Sequence, residues 1–135
     1  MNQILWKESY SIGINAIDEQ HKKLIEIINE LYKAQKIGTS QTIIKEVLHK
    51  LTDYTIYHFT MEEEMQVKCL FPKLKEHKEE HAGFVTTLNE LKKDSDKKNL
   101  LLSLKTLDFL KDWTIIHILG SDREFADYLR SIEGA

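Results

Sequence analysis

Six histidines are spread along this chain, and five of them, His21, His58, His77, His81 and His117, fall on positions that continue an apolar stripe of helical spacing. Only His49 does not. Histidine nitrogens ligate metals, and the company these five keep points that way. His58 and Glu62 are four residues apart, as are His77 and His81, so each pair shares one helical face, offset by about 40° at roughly 100° per residue. A single histidine on an apolar face is satisfied by one hydrogen bond. Five imidazoles and a carboxylate in one seam would cost on the order of several kcal/mol unless something common satisfied them, and a metal ion does so. His117 and Asp122 are five apart, which on a straight helix separates them by about 140°. A break at Gly120 followed by a new helix from Ser121 would turn Asp122 inward; a plain helix stop at the glycine is the alternative.

The number of donors constrains the centre. Five imidazoles and two carboxylates are too many for one ion, whereas two ions bridged by Glu62, Asp122 and a solvent oxygen use every group. One ion is then six-coordinate with three histidines and the other five-coordinate with two, open to a small diatomic ligand. Cys69 is the only cysteine, so no disulfide forms within the chain and the donors are nitrogen and oxygen. Imidazole suits iron, zinc, copper and nickel, and ligand type alone leaves the metal open.

Four helices must position these residues. The segment 1–17, with Trp6, Tyr10, Ile12 and Ile14 off helical spacing, reads as an extended arm, and Asp18 as the N-cap of a first helix reaching about Ile37. That helix carries the stripe His21, Leu24, Ile28, Leu31. Gly38 ends it, and Thr39 or Ser40 caps a second with the stripe Ile44, Val47, Leu51, Tyr54, His58, Glu62, Met65. Pro72 permits a third, with Leu74, His77, His81, Phe84, Leu88 and Leu91 inward. A fourth starts between Asp96 and Asn99 and carries Leu104, Leu107, Leu110, Thr114 and His117. Ser121 with Glu124 then resembles a capping box opening a short last helix from Asp122 to about Ile132. The expected fold is all-α, an up-down-up-down four-helix bundle (18–132) with an extended N-terminal arm (1–17) and a short C-terminal helix, one domain over 1–135.

Composition agrees with a soluble globular domain. Charged residues make up 30% and apolar residues 41%, and the formal charge of -3 argues against nucleic acid or an anionic membrane as partner. No stretch approaches the roughly 20 apolar residues of a membrane span, and no secretory leader is evident. A cytoplasmic monomer is expected.

Read as motifs, the chain offers Asp18-x-x-His21-x-x-Leu24, His58-Phe59-x-x-Glu62-Glu63, His77-x-x-x-His81 and Trp113-x-x-x-His117-Ile118-x-x-x-Asp122. In this order they resemble the hemerythrin family, closest to its single-domain bacterial members, from the Trp6 arm to Tyr128. The resemblance implies a non-haem diiron centre: two iron ions, oxo- or hydroxo-bridged, one held by His77, His81 and His117, the other by His21 and His58, with Glu62 and Asp122 bridging. It implies reversible binding of dioxygen at the two-histidine iron, as carrier or store, with no protein acid or base. Leu24, Phe59, Trp113, Thr114 and Ile118 then line the ligand pocket. Thr114 stands where the family usually has an apolar residue; its hydroxyl either lies near the pocket, where it could speed autoxidation, or bonds back to its own helix. Glu63 is assigned to the surface or to a contact with a ligand, and His49 to the surface or a helix interface.

Two other functions use the same residues. One is a sensor that reports oxygen, nitric oxide or redox state to a protein partner, and the other a peroxidase-like diiron enzyme. Turnover is the less favoured, because oxygen-activating diiron enzymes are carboxylate-rich with Glu-x-x-His pairs three apart, whereas this seam is nitrogen-rich with pairs four apart. Mononuclear zinc hydrolysis lacks a spare glutamate as general base. The protein is therefore expected to be a binding protein and not an enzyme.

Overall fold

The apolar stripes become helices in a computed structural model, which describes residues 3–38, 40–94 and 100–133. They are α1 (Asn15–Lys36), α2 (Ser40–Lys68), α3 (Leu74–Asp94), α4 (Leu100–His117) and α5 (Arg123–Glu133), and there is no strand among the described residues. Helices α1 and α2 pack side by side, α3 lies on α2, and α4 closes the ring against α1 and α3. The expected start of the fourth helix at Asp96 to Asn99 and the cap at Thr39 lie outside the described residues.

Apolar and polar residues are segregated along the bundle. The main core takes Leu24, Ile28 and Leu31 from α1, Ile44, Val47 and Leu51 from α2, Phe84 and Leu88 from α3, and Leu107 and Leu110 from α4. Most of these come from the C-terminal parts of α1 and α3 and the N-terminal parts of α2 and α4, as antiparallel neighbours require, while Leu24 and Leu110 stand near the middle of their helices. The histidines occupy the opposite parts of the same helices. A smaller cluster of Ile12, Ile17, Ile118 and Ala126 closes that end. Leu104, expected inward, is 40% exposed.

The N-terminal arm contains one 3-10 turn, Glu8–Tyr10, and is fastened at several points. Asn29 accepts from Ile4 N at 2.9 Å and donates to Ile4 O at 2.8 Å. Asp18 is not the N-cap: α1 begins three residues earlier, after Ile14, which gives no side-chain cap. The carboxylate turns instead to the arm, accepting from Ser11 Oγ at 2.5 Å and Ile12 N at 2.9 Å. Arg130 Nη1 donates to Ile12 O at 2.6 Å and Arg123 donates to Ser9 O, tying α5 to the same arm. Gly13 permits this: its φ is +81°, and a Cβ there would sit 2.5 Å from the Arg130 guanidinium.

Asp18→Ala leaves the Ser11 hydroxyl and the buried Ile12 N–H without their acceptor, and should destabilise the fold by roughly 1–3 kcal/mol. Urea unfolding measures this; an unchanged midpoint would show that the arm is not fastened through Asp18.

Candidate metal centre

The seven candidate ligands converge from four helices and one irregular turn. His21 comes from α1, His58 and Glu62 from α2, His77 and His81 from α3, His117 from the end of α4 and Asp122 from the turn that follows. All seven are buried, the two carboxylates completely. Glu62 Oε1 lies 2.6 Å from His77 Nε2 and 3.4 Å from His81 Nε2, while its Oε2 lies 3.6 Å from His58 Nε2. Asp122 repeats the division, with Oδ1 3.0 Å from the Nε2 atoms of His77 and His117 and Oδ2 3.0 Å from His21 Nε2. Each carboxylate therefore turns one oxygen toward a set of three histidines and the other toward a set of two. The donors form two groups, Glu62, His77, His81, His117, Asp122 and His21, His58, Glu62, Asp122, each with its ligand atoms within 4.8 Å of one another.

Asp122 reaches the cluster through a π turn and not through a helix break. Residues Ile118–Asp122 form a π-helical turn flanked by right-handed helical residues at His117 and Arg123, so α4 passes into α5 without a stop. Ser121 opens no new helix, and the expected capping box with Glu124 does not form. A π turn bonds residue i to i+5 where an α-helix bonds i to i+4, which brings residues five apart onto one face. That is the spacing of His117 and Asp122. The geometric conflict in the sequence is real, and the chain resolves it by widening one turn.

Outer contacts fix the rings. His81 Nδ1 is 2.7 Å from Glu63, His117 Nδ1 3.1 Å from Glu80, His58 Nδ1 2.6 Å from Gln20 and His77 Nδ1 3.0 Å from the Gln66 amide. The Gln66 oxygen has no partner, and exchanging the amide's nitrogen and oxygen positions would let it accept from Nδ1–H. With Nδ1 protonated toward an acceptor, Nε2 presents its lone pair inward, the arrangement metal-ligating histidines use. Glu63 thus makes the ligand contact foreseen for it, and His49 is exposed. Helical spacing could have revealed Gln66, four residues beyond Glu62. Gln20 and Glu80 serve histidines on other helices, which no local pattern shows.

The expected pocket residues divide. Phe59 stacks on His81 with ring centroids 3.6 Å apart, and Trp113 stacks on His117 at 4.4 Å and on Phe84 at 4.1 Å. Leu24 belongs with Phe59 and Trp113 to the main core and Thr114 is buried, whereas Ile118 packs in the smaller cluster with Ile12, Ile17 and Ala126.

The donors suit a cation. His117 Nε2 lies 3.2 Å from His77 Nε2 and 3.1 Å from His81 Nε2, and in any N–H···N pair only one nitrogen can donate. Both ring nitrogens of His21, both oxygens of Glu62 and Asp122 Oδ2 have no partner in hydrogen-bond geometry despite the short contacts. Protons satisfy such a cluster only in part; cations satisfy every inward atom together. Burial pushes His58 down to about 4. Burial also opposes a charge on His77, but Asp122 and Glu62 outweigh it and hold its proton up to about 10. His117 is raised against burial by Asp122, and Asp122 is drawn well below the usual carboxylate range by its histidines despite its own burial.

Comparison with known proteins agrees with this geometry. Residues 12–129 match the family model described as the hemerythrin HHE cation binding domain. Bacteriohemerythrin of Stenotrophomonas maltophilia is 31% identical over 132 residues, spanning 97% of this chain and 84% of that protein. Bacteriohemerythrin of Clostridium acetobutylicum is 34% identical over 131 residues, spanning 91% and 98%. A crystal structure of wild-type hemerythrin superposes with a TM-score of 0.82 at 26% identity, covering 95% of this chain and 98% of its own.

Two outcomes test the centre. Inserting one alanine after Gly120 should put Asp122 six positions from His117 and swing it by about 100°; circular dichroism should stay helical while metal per chain falls, and unchanged metal content would count against the turn's role. Metal must also displace the proton that His77 holds below about 10. Ferrous ion added anaerobically at pH 7 to metal-free protein in weak buffer should release protons, with apparent affinity rising as pH rises toward that value. Uptake without proton release would contradict this.

Proposed function

The chain belongs to the hemerythrin family, and from that premise we propose that it binds dioxygen reversibly at two iron ions held between its helices, as a carrier or store. His77, His81 and His117 hold one ion, His21 and His58 the other, and Glu62 and Asp122 bridge them. The supporting observation is the division of each carboxylate's oxygens between the two histidine sets. A pair of ferrous ions, when bound, supplies the two electrons and the open coordination position that dioxygen requires. The side chains keep that chemistry reversible by what they withhold. Leu24 and Phe59 bring no ionisable group, and Trp113 only an indole ring. The stacking of Phe59 and Trp113 on two ligand rings excludes water from one flank of the centre. Glu63, Glu80, Gln66 and Gln20 hold the rings in place from outside and are not free to donate protons inward.

The same reading takes 1–135 as one domain working as a cytoplasmic monomer. The family match over 12–129 and the single cysteine support it, and among the described residues no helix is long and apolar enough to cross a membrane.

Protein reduced anaerobically with two ferrous ions per chain should develop a visible charge-transfer band on exposure to oxygen and lose it under vacuum. Rapid irreversible oxidation, or iron well below two per chain, would sink the proposal. His58→Ala should release the iron of the two-histidine side first, and His77→Ala the other. Equal loss of both irons in each variant would contradict the assignment of ligands.

A further inference from the structure

Thr55, Thr106 and Thr114 are buried, and none of their hydroxyls has a hydrogen-bond partner. Other threonines behave differently. Thr52 donates to Leu48 O at 2.7 Å and Thr87 to Gly83 O at 3.1 Å, the usual return to the carbonyl four residues back. An unbonded buried hydroxyl is costly, so each of the three marks a place where a partner would be gained.

Position separates them. Thr55 and Thr114 each stand three residues before a candidate ligand, His58 and His117, on α2 and α4, which run in the same direction and touch. On the oppositely directed α1 and α3, Leu24 and Phe84 stand three residues after His21 and His81. These four, each at most 2% exposed, lie about 4.5 Å of helical rise from those ligands, all toward the same end of the bundle. Glu62 and Asp122 enter from the other side, about one turn beyond His58 and His117. The donor set of His21 and His58 has four protein ligands against five for the other, so an added ligand belongs there, on the side the carboxylates leave free. Thr106 lies two turns farther along α4, away from the centre.

We propose that Thr55 and Thr114 form a hydrogen-bond-donating subsite over the His21 and His58 end of the centre, taking the outer atom of a small acceptor ligand, a diatomic or a small anion. The subsite rests on the diiron reading above. It discriminates among ligands by their capacity to accept a hydrogen bond, a selection that a wholly apolar pocket cannot make.

Azide is a suitable probe, because its terminal nitrogen accepts hydrogen bonds and its stretching frequency reports them. In oxidised, iron-loaded protein, T55V and T114V should each weaken azide binding about five- to tenfold, as expected for one hydrogen bond, and shift the azide stretch. T114S should restore the wild-type frequency, and T106V should change neither quantity. In metal-free protein, T55V and T114V should unfold at a higher temperature than wild type, because valine replaces an unbonded buried hydroxyl at nearly equal volume. A lower temperature would show that the hydroxyl is bonded within the protein, and would overturn the subsite. Two irons per chain with an unshifted azide band in both variants would overturn the subsite alone. Fewer than two irons in wild-type protein would overturn the diiron reading and the subsite with it.

Discussion

Two carboxylates completely buried beside one another set the terms for this structure. Neither Glu62 nor Asp122 can be left with its charge unanswered in an interior of low dielectric. The five imidazoles answer that charge in part through protons and would answer it fully through cations. The histidines on their helical stripes and the widened turn before α5 bring seven polar groups together around those charges. The bundle tolerates this because the polar groups are concentrated at one end, while a continuous apolar core fills the other.

Much of this was legible in the sequence because helical spacing is local. The pairs His58 with Glu62 and His77 with His81 need only a helix to share a face, and a helix was the one element their surroundings allowed. Asp122 was legible as a residue but not as a geometry. The five-residue interval revealed a conflict with the α-helix, and the presence of Gly120 suggested a break, yet its φ is not positive and a Cβ there would meet nothing. The glycine is not what re-aims the carboxylate. Changing the hydrogen-bond register by one residue achieves the same end and leaves no composition signal behind.

What escaped sequence reasoning joins distant segments. Gln20 sits beside one histidine and bonds another 38 residues away, and Glu80 sits beside His81 and contacts His117. Asp18 has the composition of a helix cap, but the arm that folds back over it supplies better donors than the helix does. Thr114 belongs to the same class of problem. Whether a helical threonine bonds its own carbonyl depends on its rotamer and on what its neighbours leave open, and neither is written in the spacing.

The segregation of apolar from polar residues along the bundle bears on how the molecule comes to be assembled. Contacts in the apolar half join neighbouring helices through short connections, so that half can close early and without metal. The polar half gains little from closing until its charges are matched. Closure of the polar end would then follow that of the apolar end, with its final shape set by the ions that match its charges. Because Arg123 and Arg130 fasten Ser9 and Ile12 to α5 at that late end, that part of the arm and α5 would become ordered in the same step, and the surroundings of Ser9 to Ile12 would report whether the centre is filled.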